Sequence, residues 1–274
     1  MKAAYQGVRG AYSELALKNH FGPKCEAVGF AFSEQVFEAV RDGRVDAGFV
    51  PVENSIVGSV GVNTDLLLKE HVFAVAEAYL KIEHCLLGLP SAKLKNIKTV
   101  YSHPIALAQC RDFLTQRGLK AVPEYDTAGS AQIVAQRQKP EEAAIASSQC
   151  AEAYGLKVLQ AEIQSVPNNF TRFLAFVRKA EVPKDLKMEK TSVAFATKHH
   201  PGALLNCLKR FADHKVNLTK LESRPIPENP FAYVFFTDFI GGMNEPAVAG
   251  ALKELEHDAA TVKILGSYPI ARRA

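Results

Sequence analysis

Residues 168–173 read Asn168-Asn169-Phe170-Thr171-Arg172-Phe173 and place three kinds of chemistry in one run. Thr171 offers a hydroxyl proton, Arg172 a permanent cation, and Phe170 and Phe173 apolar walls. A donor, an anion clamp and a dry lining suit a small anionic substrate that must lose an oxygen away from bulk water. Neighbouring residues on a strand face opposite sides. Arg172 therefore either turns into the same cleft as Thr171 or holds neighbouring elements together.

Other chemistry-bearing residues sit where strands end and helices begin. Residues 7–14 (GVRGAYSE) join a first strand to a helix, with Ser13 in the helix start. Two glycines let backbone approach a ligand, and a helix N-terminus offers free N–H groups to an anion. Residues 50–55 close a buried strand with Glu53, Asn54 and Ser55, an acid or orienting group and two hydrogen-bonding groups. Residues 101–104 (YSHP) end another strand, and Gln109 follows in the next helix. Thr127 and Ser130 lie in the turn DTAGSA, and Ser147 and Ser148 repeat the design. Each also has a plain structural reading, as a capped turn or an N-cap, and His103 fits equally a structural residue before proline. Gly202, Ala203, Leu204 and Leu205 open a later helix, where a carboxylate would sit close to the N-terminus. Glu222, Ser223, Arg224 and Pro225 end a later strand and fit a zwitterion, a subunit contact or a surface ion pair.

The elements that must position these groups alternate between strand and helix patterns. Strands are predicted at 3–7, 45–52, 72–79, 84–89, 97–102, 119–125, 143–146 and 171–178. Helices are predicted at 11–20, 33–42 with Ser33 as N-cap, 63–70, 105–117 and 130–138. Such alternation implies parallel sheets covered by helices. A change near residue 81 divides the region into two lobes with a cleft between. Residues 179–190 are polar, contain Pro183 and read as a linker. Then come 191–197, 203–214, 217–224, 232–240, 245–257 and 261–265, the β-α-β-β-α-β order of a split βαβ, ferredoxin-like unit.

The 274 residues carry 47% hydrophobic and 23% charged residues, ordinary for a folded chain of one large or two smaller domains. A net charge of +4 with interspersed signs shows no nucleic-acid stripe. No apolar run is long enough to span a membrane. The start lacks an apolar signal core and reads directly as a strand. Five scattered cysteines without a CxxC pair point to reduced thiols and a cytoplasmic protein. No HExxH, Walker lysine motif or GxSxG elbow is present, so no metal or organic cofactor is expected.

In their order, GVRGAYSE, PVENS, YSHP, DTAGSA, NFTRF, GALL and LESRP resemble the prephenate dehydratase family across essentially the whole chain. The resemblance implies α/β architecture: a bilobal catalytic region like type II periplasmic binding proteins, followed by an ACT regulatory domain. It implies catalytic residues 1–178 (one lobe about 1–80 plus 165–178, the other about 81–164), a linker at 179–190 and the ACT domain at 191–274. The implied activity is decarboxylative dehydration of prephenate to phenylpyruvate in phenylalanine synthesis, in the monofunctional form and without a cofactor. By motif, Thr171 matches the family's essential threonine, and Glu53, Asn54 and Gln109 match positions linked to activity or substrate binding. Ser13, Ser55, Arg172, Phe173, Thr127 and Ser130 are expected around the substrate. Some relatives place a glutamate near Thr127; this chain does not, and that acidic role does not pass to Asp126. Phenylalanine is expected as a feedback inhibitor between residues 202–205 and 222–225 of paired ACT domains, in a dimer or tetramer. The alternatives are arogenate dehydratase, acting on the aminated analogue, and a non-catalytic small-molecule sensor.

Overall fold

The computed structural model describes residues 1–226 and 229–272; residues 227–228 and the last two of the expected C-terminal domain, 273–274, lie outside them. The first half contains β1 (Lys2–Gln6), α1 (Tyr12–Phe21), β2 (Glu26–Phe30), α2 (Ser33–Arg41), β3 (Ala47–Asn54), β4 (Gly58–Ser59), α3 (Gly61–Lys69) and β5 (Val72–Lys81). Next come β6 (Cys85–Gly88), β7 (Thr99–Ser102), α4 (Pro104–Gln109), α5 (Arg111–Gln116), β8 (Lys120–Pro123), α6 (Thr127–Arg137), β9 (Glu142–Ala146), α7 (Gln149–Tyr154), β10 (Lys157–Gln160) and β11 (Phe170–Arg178). The C-terminal part is β12 (Lys190–Thr197), α8 (Ala203–Asp213), β13 (Leu218–Ile226), β14 (Asn229–Ile240), α9 (Pro246–Asp258) and β15 (Ala259–Tyr268).

Two sheets separate two lobes. The second lobe has the order β10-β6-β9-β7-β8. In the first, β5-β11-β3-β1-β2 continues through β15 into β13-β14-β12-β15, the ferredoxin-like sheet. Among the described residues, only β1–β2, β1–β3, β7–β8, β7–β9 and the short β15–β5 contact are parallel. The expectation of parallel sheets is corrected on this point. The chain leaves the first lobe along β5 and returns along β11, and β11 runs antiparallel to both neighbours, β3 and β5.

Other differences are local. Ser33 is the first residue of α2 rather than its cap, and its hydroxyl donates to the Gln6 side chain across the sheet. The expected helix 105–117 breaks at Cys110 into α4 and α5. Strands β2, β4 and β10 and helix α7 have no counterpart in the sequence reading, because β2 and β10 lie at sheet edges and are too exposed for a period-two pattern. All five cysteines are free and buried.

Packing joins the C-terminal unit firmly to the first lobe. One core gathers Phe37, Val50, Val52 and Phe176 from the lobe with Phe236, Leu265 and Tyr268 from the C-terminal sheet. A separate core around Phe195, Phe211 and Phe239 belongs to the C-terminal unit itself. At the seam, β15 meets β5 at Gly266 and Ala74, where any side chain on residue 266 would collide with Ala74. A shared apolar core of this kind makes rigid attachment the expected state.

Candidate active site

The cleft between the lobes encloses about 410 Å³. Its walls include Tyr12 and Ser13 at the start of α1, Pro51 and Asn54 of β3, Ser59 of β4, Thr171 and Phe173 of β11, and His84 at the lobe crossing. The second lobe contributes His103, Gln109, Asp126 and Thr127. Among the described lining residues there is no lysine or arginine.

A bulge decides which residues of β3 reach this space. Thr171 pairs with Asn54 and Arg172 with Glu53, but Phe173 pairs with Pro51. The extra residue, Val52, lets Pro51 and Asn54, three apart in sequence, both face the cleft. Phe173 lies stacked on Phe49, ring centroids 5.2 Å apart, and forms part of the apolar floor.

Thr171 ends a chain of hydrogen bonds with one permitted direction. Asn54 Oδ1 accepts from the backbone N–H groups of Ile56 and Val57, both at 3.0 Å. The Asn54 amide nitrogen must then donate, and it reaches Thr171 Oγ1 at 3.0 Å and Asn169 Oδ1 at 2.7 Å. The Thr171 oxygen is thus an acceptor toward Asn54, and its own proton is left free to be donated to a ligand in the cleft that Thr171 lines. Asn169 Nδ2 donates to Gln109 Oε1 at 3.2 Å, and His84 Nε2 lies 2.7 Å from the same oxygen. His84 Nδ1 lies 2.9 Å from Tyr12 Oη, which also stands 2.9 Å from the Glu83 carbonyl. Burial lowers the pKa of His84 and keeps the ring neutral near pH 7, and burial likewise lowers that of His103. Burial raises that of Tyr12 far above its ordinary range, so Tyr12 stays a donor.

The uncapped N-terminus of α1 supplies the positive end of the site. Helix α1 begins at the cleft with no side-chain cap, behind the glycine turn 7–10. Gly10 has φ +87°, and a Cβ there would press on Cys150 of the other lobe. Helix α6 also starts at the cleft, capped by Asp126, whose Oδ1 accepts from Gly129 N at 2.5 Å.

Several expected site residues lie elsewhere. Arg172 does not face the cleft: it is 5% exposed on the opposite side of the sheet. There its Nε meets Glu77 at 2.8 Å, Nη1 meets Asp238 at 2.5 Å and Nη2 donates to Tyr268 Oη at 2.8 Å. Lys190 joins Glu77 at 2.9 Å, and Ser192 donates to Asp238 at 2.5 Å. Burial alone would weaken the Arg172 cation, but Asp238, Tyr268 and Glu77 outweigh it and hold the guanidinium protonated. Glu53 lies on that same face, 3.6 Å from Arg172 and 3.9 Å from Lys220, which removes it as a group poised over the cleft. Ser55 sits outside the lining; its hydroxyl donates to the Asn168 carbonyl and accepts from Phe170 N. Ser130 is fully buried and donates to the Asp126 carbonyl. Ser13, Asn54, Gln109, Thr127, Thr171 and Phe173 do line the cleft.

His84, Tyr12 and Asn169 complete the network without having been singled out. His84 follows Glu83 at the entry to an apolar strand, and Tyr12 lies inside GVRGAYSE; neither spacing reveals that they meet across the lobes.

The two expected effector stretches do not meet within one chain. Gly202, Ala203, Leu204 and Leu205 line a hollow of about 620 Å³ with residues 197–201. Glu222 and Arg224 instead face the first lobe. Glu222 accepts a hydrogen bond from Ser59, and Arg224 grips Asp65 with two bonds of 2.8 and 2.7 Å. Ser223 and Pro225 are exposed on the other face of β13.

Comparison with known proteins agrees with this geometry. A family model described as prephenate dehydratase matches residues 3–181. "Arogenate dehydratase/prephenate dehydratase 2, chloroplastic" of Arabidopsis thaliana is 40% identical over 279 residues, covering 98% of this chain and 73% of that one. The structure of prephenate dehydratase in complex with L-Phe from Arthrobacter aurescens superposes with a TM-score of 0.89 at 32% identity, covering 98% and 89% of the two chains. A structure described as GqqA, of a type of quorum quenching acylases, gives 0.91 at 34% identity over 99% and 98%. The cytoplasmic expectation is corrected by the plant relatives, several of which are described as chloroplastic.

Proposed function

The chain belongs to the prephenate dehydratase family, and from that premise we propose that its cleft removes carbon dioxide and water from prephenate to give phenylpyruvate. The ring carboxylate leaves as carbon dioxide, and its electron pair becomes part of the aromatic ring as the C–O bond breaks. The departing hydroxide takes up one proton and leaves as water. Aromatisation supplies the driving force, so the residues need only hold the dianion and ease the loss of the oxygen.

The single observation that carries this reading is the Thr171 hydroxyl, which lines the cleft and accepts from Asn54, so that its own proton remains to be donated to a ligand. A donor set in advance where charge develops is worth most in a site that excludes water. With no cation in the described lining, the carboxylates fall to the uncapped N-terminus of α1 with Ser13, and to the Thr127 hydroxyl and the Gln109 amide. The Phe173–Phe49 stack supplies the apolar floor for the ring. Replacing Thr171 by Ala tests the assignment: phenylpyruvate formation falls by roughly a hundredfold or more if it is right, and near-wild-type turnover rejects it.

Arogenate is the second substrate to test. Asp126 lines the cleft, and a carboxylate there offers a partner to the amino group that distinguishes arogenate. Side-by-side assays with both substrates separate the readings.

The domain division at 1–178, 179–190 and 191–274 belongs to the same proposal, supported by the complete βαββαβ run from β12 to β15. L-Phenylalanine acts there as the effector, at the hollow of residues 197–205. Strand β13 also holds Ser59 and α3, so a ligand that moves β13 acts on a cleft wall. An effector shifts activity only through unequal affinity for two states. Titration with L-phenylalanine that leaves both activity and assembly unchanged removes this part. Self-association into a dimer or tetramer is proposed through β13, the outer strand of its sheet, which exposes Leu221. Light scattering with and without L-phenylalanine reads it.

A further inference from the structure

We propose that His84, held by Tyr12, is a positioning residue that fixes the Gln109 amide so that its NH2 group faces the substrate. The proposal rests on the prephenate reading of the cleft, and it assigns a role to two side chains on opposite sides of the lobe crossing.

Polarity carries the argument from one end of the network to the other. The backbone donors of Ile56 and Val57 fix Asn54 Oδ1 as an acceptor. Asn54 Nδ2 therefore donates to Asn169 Oδ1, and Asn169 is left with Nδ2 to offer Gln109. Gln109 must present Oε1 to it, since two amide nitrogens at that distance would oppose each other. The same Oε1 lies 2.7 Å from His84 Nε2, which must then carry the ring proton. In the neutral ring Nδ1 is an acceptor, and the Tyr12 O–H fills it at 2.9 Å while sharing its proton with the Glu83 carbonyl. His84 is 2% exposed, so no solvent competes for either nitrogen.

With Oε1 held by two donors, the amide cannot turn over, and both N–H bonds of Gln109 are left for the cleft it lines. That matters because the described lining contains no cation: each neutral donor must already be aimed when the dianion arrives. Tyr12 lies on α1 of the first lobe and Gln109 on α4 of the second, so the same contacts also set the spacing between lobes.

Steady-state kinetics and ring NMR test this together. His84→Leu removes the donor to Oε1 and is expected to lower kcat/KM for prephenate about ten- to a hundredfold. His84→Gln, whose amide nitrogen reaches close to the Nε2 position, is expected to recover most of the loss. In a Gln109→Ala background, His84→Leu is expected to add nothing, because its target is gone. A loss that multiplies in full with that of Gln109→Ala shows a merely structural histidine and overturns the proposal, as does wild-type kcat/KM in His84→Leu. Independently of turnover, the 15N shifts of His84 in the wild-type protein at pH 7 are expected to report the neutral Nε2–H tautomer. An Nδ1–H tautomer overturns the proposal even if the enzyme is fully active. Conversely, the Nε2–H tautomer in a protein inert toward prephenate keeps the positioning and rejects the substrate.

Discussion

Strands β3 and β11 carry two opposite kinds of polar structure on their two faces, one residue apart. On the cleft side, Asn54 and Thr171 belong to a network of neutral groups with an open space in front of it. On the far side, Arg172 joins Glu77, Lys190 and Asp238 in a buried ionic cluster, with half-exposed Glu53 at its edge. The difference teaches where each kind of group belongs. A buried charge is tolerated when its partners are fixed, as where Arg172 ties β11 to the C-terminal sheet. A neutral hydroxyl with one directed proton stays available for a ligand, at little cost when the cleft is empty.

If that division is correct, each face breaks in its own way. The largest effect belongs to Thr171→Ala, which is expected to cost on the order of 3–4 kcal/mol in transition-state stabilisation while leaving the unfolding free energy measured in urea within about 0.5 kcal/mol of wild type. Arg172→Met is expected to do the reverse in kind. It leaves Asp238 buried without its Arg172 partner and Glu77 with Lys190 alone, and lowers unfolding free energy by about 3–5 kcal/mol, read by urea denaturation. Loss of turnover in Arg172→Met at full stability would dissolve the contrast.

Acid should distinguish the faces by pH. Burial lowers the pKa values of His84 and His103, so below about pH 6.5 the unfolded chain binds protons that the native cleft does not. Stability therefore falls as pH drops through that range. Burial by itself would raise the pKa of Asp238, but Arg172, Ser192 and Lys190 carry it below its ordinary value. Its contribution is complete above about pH 4 and disappears only as pH falls through the lowered native pKa. Thermal melts from pH 8 to 3 should thus show a first decline that His84→Gln diminishes and a later one that Asp238→Asn removes.

The smallest expected effect sharpens the link between β13 and the cleft. Asp65 and Arg224 are both partly exposed, and such a pair is worth at most about 1 kcal/mol. Asp65→Asn is therefore expected to shift the half-inhibitory concentration of L-phenylalanine no more than about fivefold, with the melting temperature nearly unchanged. An unchanged inhibition curve would place the coupling elsewhere, at Ser59 and Glu222 or through the shared core.

Much of the fold is legible because hydrophobic period and turn chemistry are local. The strand-turn-helix signals around Gly7, Asn54, Ser102 and Asp126 lie close to the observed ends of β1, β3, β7 and the start of α6. Exposed edge strands such as β10 escape that logic, since half their surface is wet and no apolar stripe is required. The ionic cluster leaves a fainter trace. Glu77 and Asp238 are charges inside apolar runs, which says that partners exist without saying where. Glu53 and the cleft-facing alternative for Arg172 fail for a definite reason, while the alternative in which Arg172 holds elements together stands: the motif gives residue identity, whereas strand parity and the bulge at Val52 give direction.

The sequence by itself determined most of the order of elements, the family, and the presence of a hydroxyl donor at Thr171, because these follow from residue type and short spacing. Only the tertiary structure decided that Thr171 faces the cleft while Arg172 is locked behind it, that His84 meets Tyr12 and Gln109, and that Glu222 and Arg224 hold the first lobe. Those outcomes depend on sheet pairing and hydrogen-bond polarity between residues from 25 to 163 positions apart, where local spacing carries no information.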